Sequence, residues 1–205
     1  MKGTDECVLN VEREVRQRMD GLQAGHGMDH VLRVLSTARR IQAEVGGDKQ
    51  IIELASLLHD VGDAKFHHGV ERSAEFAREI LSRLGVQRDR IELIAHIVDN
   101  ISVRKGVAAD PLTLEGQIIQ DADRLDALGA VGIVRTIEYG AAVGQPFYAP
   151  DRSDGKTGVA HFHEKLFRLK GKLNTETARQ IAEAREQFMH QFLAQYIQEY
   201  GETAP

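Results

Sequence analysis

Apolar residues along the chain recur at intervals of three and four, the spacing that gathers them on one face of an α-helix. Val8, Val11, Val15 and Met19 mark a first helix over 6–20. Val31, Val34, Leu35, Ala38, Ile41 and Val45 mark a second over 28–45, stopped by Gly46-Gly47. Asp48 is placed to cap a third helix, which carries Ile51, Ile52, Leu54, Ala55, Leu57 and Leu58. The same spacing predicts helices over 73–84, ended by Gly85, and over 88–99, with Ile91, Ile94, Ala95 and Val98 on one face. A pair over 113–128 and 130–143 is broken near Gly129. After the loop 144-GQPFYAPDRSDGKTG-158, two last helices are predicted over 159–170 and 175–200, the longer one capped by Asn174 or Thr175. No segment alternates with the period of two over a strand length. The pattern reads as all-α: one domain over 1–205, with the C-terminal helices (159–200) packing on its core.

Composition narrows the function classes. With 42% apolar and 28% charged residues, the chain is globular in character, and its 205 residues suffice for a sizeable core. The net charge of −5 argues against a partner such as duplex nucleic acid but leaves room for a local basic pocket facing a small phosphorylated substrate. A single cysteine, Cys7, excludes an internal disulfide and fits a reducing cytoplasm. The N-terminus has no apolar leader core, and no stretch approaches the ~18 apolar residues of a membrane span, so a cytoplasmic protein with no membrane partner is expected.

Against this background the stretch 57-LLHDVGDAKFHHG-69 stands out, with three histidines, two aspartates and a lysine behind an apolar run. His59 follows Ile52 and Ala55 by seven and four residues and shares their buried stripe. His30 lies on the row of Val34, Thr37 and Ile41. Asp123, in 121-DADRLDALG-129, sits four before Ala127 and seven before Ala130, a small-residue face suited to close packing. A carboxylate on a packed face is informative, because burying its charge unpaired is costly. Imidazole and carboxylate donors converging from several helices are what a divalent metal needs. Each feature alone has an ordinary explanation, such as a satisfied core histidine or an Asp123–Arg124 pair. Their joint occurrence in the order H…HD…D does not.

That order resembles the HD-domain phosphohydrolase superfamily. The segments 25-GHGMDHVLRV-34, 57-LLHDVGDAKFHHG-69, 119-IQDADRLDALGAVGIVRTIEYG-140 and 161-HFHEKLFRLKGKLNTETAR-179 extend the resemblance over nearly the whole chain. They are similar to the bacterial small HD hydrolases that include nucleoside-triphosphate pyrophosphohydrolases. One departure is that Gly27 and Met28 stand where that subfamily's opening motif carries Asp and Trp. The resemblance implies a single compact HD-domain helical bundle. It also implies one divalent ion (Mn, Fe, Co, Ni, Zn or Mg) on His30, His59, Asp60 and Asp123.

Metal-assisted hydrolysis of a phosphate ester or anhydride follows as the expected chemistry, since a bound divalent ion acidifies water and polarises a phosphoryl oxygen. No GxSxG elbow, Walker-A loop or GxGxxG motif offers another route. Asp63 is expected either as general acid or base or as a residue orienting a ligand, the former being the role an acidic residue holds at the corresponding place in related alarmone hydrolases. Lys65 is expected to donate to a polyphosphate, or else to neutralise the neighbouring aspartates. His68, Arg33, His96 and Lys105 are further candidates for substrate contacts, with Arg104 beside them. His26, His67 and His161 rank lower, and Asp126 is assigned to structure or ligand support. The expected substrate is a nucleotide, with nucleoside triphosphates among those considered, and the chain is expected as a monomer or homodimer. The competing functions are an HD enzyme acting on an alarmone, cyclic nucleotide or nucleoside monophosphate, and a metal- or nucleotide-binding regulator with little turnover. A di-iron oxygenase would need more interior histidines than His96 supplies.

Overall fold

The computed structural model describes residues 2–20, 27–64, 67–101, 112–151 and 155–202. Among them the secondary structure is helical throughout: α1 (Lys2–Arg18), α2 (Met28–Val45), α3 (Lys49–Leu58), α4 (Ser73–Arg83), α5 (Arg88–Asn100), α6 (Leu114–Asp126), α7 (Gly129–Val143), α8 (Gly158–Glu164) and α9 (Glu176–Glu202). The chain forms two compact units, residues 1–123 and 124–205.

In the first unit α3 is the central element. Every residue from Ile51 to Leu58 is buried, so α3 packs on all sides, as a core helix does. It lies against α1, α2, α4 and α5. Its start is fixed by Asp48, whose Oδ1 accepts from the N–H groups of Gln50 and Ile51 at 3.0 and 3.1 Å. Arg90 of α5 grips the same carboxylate at 3.1 and 3.0 Å, tying the cap to a neighbouring helix. The buried carboxylate of Glu53 is matched by the Arg39 guanidinium of α2 at 2.7 Å. α6 is held alongside by Gln120, whose amide donates to the Ile101 carbonyl at 3.2 Å, and by Glu115, which accepts from Asp48 N–H at 3.1 Å.

In the second unit α7 packs on α8 and α9. The buried Asp126 carboxylate pairs with Arg135 of α7 at 2.5 Å, which gives Asp126 a structural role. Phe147, in the loop after α7, meets Phe162, Phe192 and Tyr196 edge to face. The carbonyls of Pro146 and Phe147 accept from Gly158 and Val159 at the start of α8. The described parts of that loop are therefore anchored on aromatic packing.

The helix expected over 159–170 is shorter than its apolar spacing predicts. α8 stops at Glu164, and two 3₁₀ turns, Leu166–Arg168 and Lys170–Lys172, carry the chain to α9. Leu166, Leu169 and Leu173 remain buried, so the same residues face the core through a tighter winding. Of the two cap candidates before α9, Thr175 accepts from Ala178 N–H at 3.3 Å.

Candidate metal centre

α3 ends at Leu58, and the last carbonyls of a helix have no partner within it. One of them, from Ser56, lies 2.8 Å from His59 Nδ1. A carbonyl oxygen only accepts, so Nδ1 carries the hydrogen, and whenever the ring is neutral its lone pair is on Nε2. That bond fixes both the tautomer and the orientation of the ring, as a supporting partner does for a ligating histidine. The Nε2 thus prepared lies 3.2 Å from Nε2 of His30, near the start of α2.

Asp60 Oδ2 closes a triangle, 3.5 Å from His30 Nε2 and 3.6 Å from His59 Nε2. Asp123 Oδ1, from α6, lies 3.4 Å from His30 Nε2. All four residues belong to the first unit. Both imidazoles are buried.

These separations can be tested against coordination chemistry. Donors about 2.1 Å from one tetrahedral ion stand about 3.4 Å apart. The four measured edges, 3.2–3.6 Å, bracket that value. His30, His59 and Asp60 offer donor atoms that all lie within 4.8 Å of one another, the compact cluster of that kind among the described residues. The residues therefore fit a divalent ion, with Asp123 reaching the cluster along its His30 edge.

Asp123 departs from the sequence expectation in one respect. Its side chain is 41% exposed rather than packed on a small-residue face. α6 ends at Asp126, so Ala127 lies past the helix and Ala130 belongs to α7, where it is exposed. The fully buried acidic residue of this stretch is Asp121. Desolvation, the largest single influence, pushes the Asp123 carboxyl up. The hydrogen bond to His30 and the charges of His59 and His30 outweigh that push and the repulsion of Asp60, holding the group below its ordinary range.

The other candidates separate in space. Asp63 is buried, and its N–H donates to the Asp60 carbonyl at 3.2 Å, within the turn that follows the doublet. Arg33 is half-buried on α2, one turn past His30. His96, half-buried on α5, is engaged by Asn100, whose amide lies 3.3 Å from its Nδ1. His68 is exposed at the tip of a turn with φ of 52°. His67 instead packs edge-on against Phe76, with ring centroids 5.2 Å apart. His161 lies in the second unit. Lys65, Lys105, Arg104 and His26 lie outside the described residues. Sequence reasoning overlooked the Ser56 carbonyl, although its position three residues before His59 at a helix end was a usable signal.

Donor set, helical scaffold and motif order together define the class. The HD-domain family model matches residues 27–128, and the chain belongs to that family of metal-dependent phosphohydrolases. Among its relatives, the protein YpgQ of Bacillus subtilis is 41% identical over 174 residues, 84% of this chain and 83% of YpgQ. The crystal structure of an HD-superfamily hydrolase from Bacillus thuringiensis superposes with a TM-score of 0.82 at 35% identity, covering 97% of this chain and 98% of that one. The structure of YpgQ in complex with ADP superposes with a TM-score of 0.83 at 32% identity, covering 96% of each chain. Among the described residues no helix is long and apolar enough to cross a membrane.

Proposed function

We propose that the chain hydrolyses the phosphate ester or anhydride of a nucleotide, with His30, His59, Asp60 and Asp123 holding one divalent ion. The observation that carries this reading is the convergence of two buried imidazoles and a carboxylate within 4.8 Å. The binding of ADP by the similar YpgQ supports a nucleotide as the substrate class. When bound, a divalent ion supplies Lewis acidity, acidifying water and polarising a phosphoryl oxygen.

The chain's own residues supply the rest. The Ser56 carbonyl keeps the His59 lone pair directed at the centre. Asp63, buried in the turn after Asp60, takes up the proton of the attacking water as its oxygen adds to phosphorus and the P–O bond to the leaving group breaks. The proton then passes to the leaving oxygen. Lys65 neutralises the phosphate oxygens as a flexible point charge, and Arg33 adds a second cation from α2. For a nucleoside triphosphate the bond broken is the one that releases pyrophosphate.

The test is a panel of deoxynucleoside and ribonucleoside triphosphates, monophosphates and cyclic nucleotides, each assayed with Mn, Co, Ni, Zn and Mg. Phosphate and pyrophosphate are measured separately. The expected result is metal-dependent pyrophosphate release from one group of triphosphates. A chain that holds stoichiometric metal and turns over no nucleotide would instead be a binding protein.

A further inference from the structure

The turn that follows the His-Asp doublet is pinned to the start of α4 by a set of contacts outside the donor cluster. Gly62 N–H donates to the Ser73 hydroxyl at 3.1 Å, and Arg72 N–H donates to the Gly62 carbonyl at 2.9 Å. The Glu71 carboxylate bridges the two strands of this loop: Oε1 accepts from Ser73 N–H at 2.9 Å and Oε2 from Ala64 N–H at 3.3 Å. Ser73 is 1% exposed, so no water competes for its hydroxyl. Gly62 is packed so closely that an added Cβ would lie 2.5 Å from the backbone of Arg72 and Ser73. The pinned residues, 62 and 64, flank Asp63 and follow Asp60 by two and four positions.

From this geometry we infer that Ser73 is a positioning residue for the candidate metal centre, with Glu71 assisting: the hydroxyl holds the Asp60–Asp63 turn so that the Asp60 carboxylate keeps its aim. The inference rests on the metal-centre reading given above. A hydroxyl that merely capped the start of α4 would serve that helix. This one spends its acceptor on the backbone of the turn that bears the candidate ligand, while Glu71 serves the first N–H of α4. Partners that orient ligands in this way are typically worth about 10–100-fold in metal affinity.

The experiment measures Mn²⁺ affinity of the full-length chain by competition titration, with far-UV circular dichroism as the check on folding. Ser73→Ala is expected to raise the Kd by about tenfold with helical content unchanged. The Co²⁺-loaded variant is expected to show a shifted visible absorption band, because the carboxylate side of the donor set has moved. An unchanged Kd and band, accompanied only by lower thermal stability, would overturn the positioning role. Should Ser73→Ala fail to fold, Glu71→Gln carries the test from an exposed position: a Kd raised several-fold supports the inference and an unchanged Kd overturns it. A wild-type chain that takes up no divalent ion overturns this inference and the metal-centre reading together. Equal Kd values in wild type and variants remove the positioning role alone.

Discussion

Replacing Gly62 by alanine puts one methyl group where the structure has no space. The added carbon would lie 2.5 Å from both the Arg72 carbonyl carbon and the Ser73 nitrogen, and 2.8 Å from the Arg72 oxygen. Ordinary van der Waals contact begins at 3.4 Å, so the two backbones must part by about 0.9 Å. All three obstructing atoms are main chain, and no rotamer change can relieve the clash. Parting stretches the Gly62 N–Ser73 Oγ bond from 3.1 Å and the Arg72 N–Gly62 O bond from 2.9 Å, beyond useful range. Overpacking costs about 1–3 kcal/mol and each lost hydrogen bond about 0.5–1.5 kcal/mol, so Gly62→Ala is expected to destabilise the chain by about 2–6 kcal/mol. Urea unfolding followed by circular dichroism, read as a lowered midpoint at constant m, measures this. A midpoint equivalent to wild type within about 0.5 kcal/mol would refute the close packing of the turn on α4.

Other consequences are smaller or more local. Asp48→Ala removes the cap that serves Gln50 and Ile51 and the anchor of Arg90, and should cost about 1–2 kcal/mol in urea unfolding, most of it recovered by Asp48→Asn. Lys65→Ala should raise KM or lower kcat for a polyphosphate without loss of metal, whereas unchanged kinetics would leave the lysine a salt-bridge partner. Burial, with Lys165 adding to it against the pull of Glu164, holds His161 below its ordinary value of 6.5. The unfolded chain therefore takes up that proton first, and stability should decline as the pH falls below about 6.5, with the decline reduced in His161→Leu. An equal decline in both proteins would show that other groups govern that pH range.

Much of the fold was legible because the buried stripes are regular. The spacing of Val31, Val34, Leu35, Ala38 and Ile41 predicts α2, and the acceptor side chain of Asp48 predicts the start of α3. The three- and four-residue rule misleads between Leu166 and Leu173, where 3₁₀ turns bring the same leucines to the core. The family was legible in the order of His30, His59-Asp60 and Asp123, residues that the fold then brings together. The exposure of Asp123 was not legible, because projecting a face onto Ala127 and Ala130 assumes that α6 continues, and it ends at Asp126. Nor was the Gly62–Ser73 clamp, which joins residues eleven apart through a close approach of two backbones that no periodicity encodes. The positions of Lys65 and Lys105, expected as phosphate donors, lie outside the described residues.

We propose that a single divalent ion is held jointly by His30, His59, Asp60 and Asp123. The most direct test of this claim is the metal content of the purified chain by elemental analysis, wild type beside Asp60→Ala, with circular dichroism on both. One ion per chain in the wild type, and none in an Asp60→Ala chain that keeps its helices, is the predicted result. Stoichiometric metal retained by the folded Asp60→Ala chain would contradict the claim.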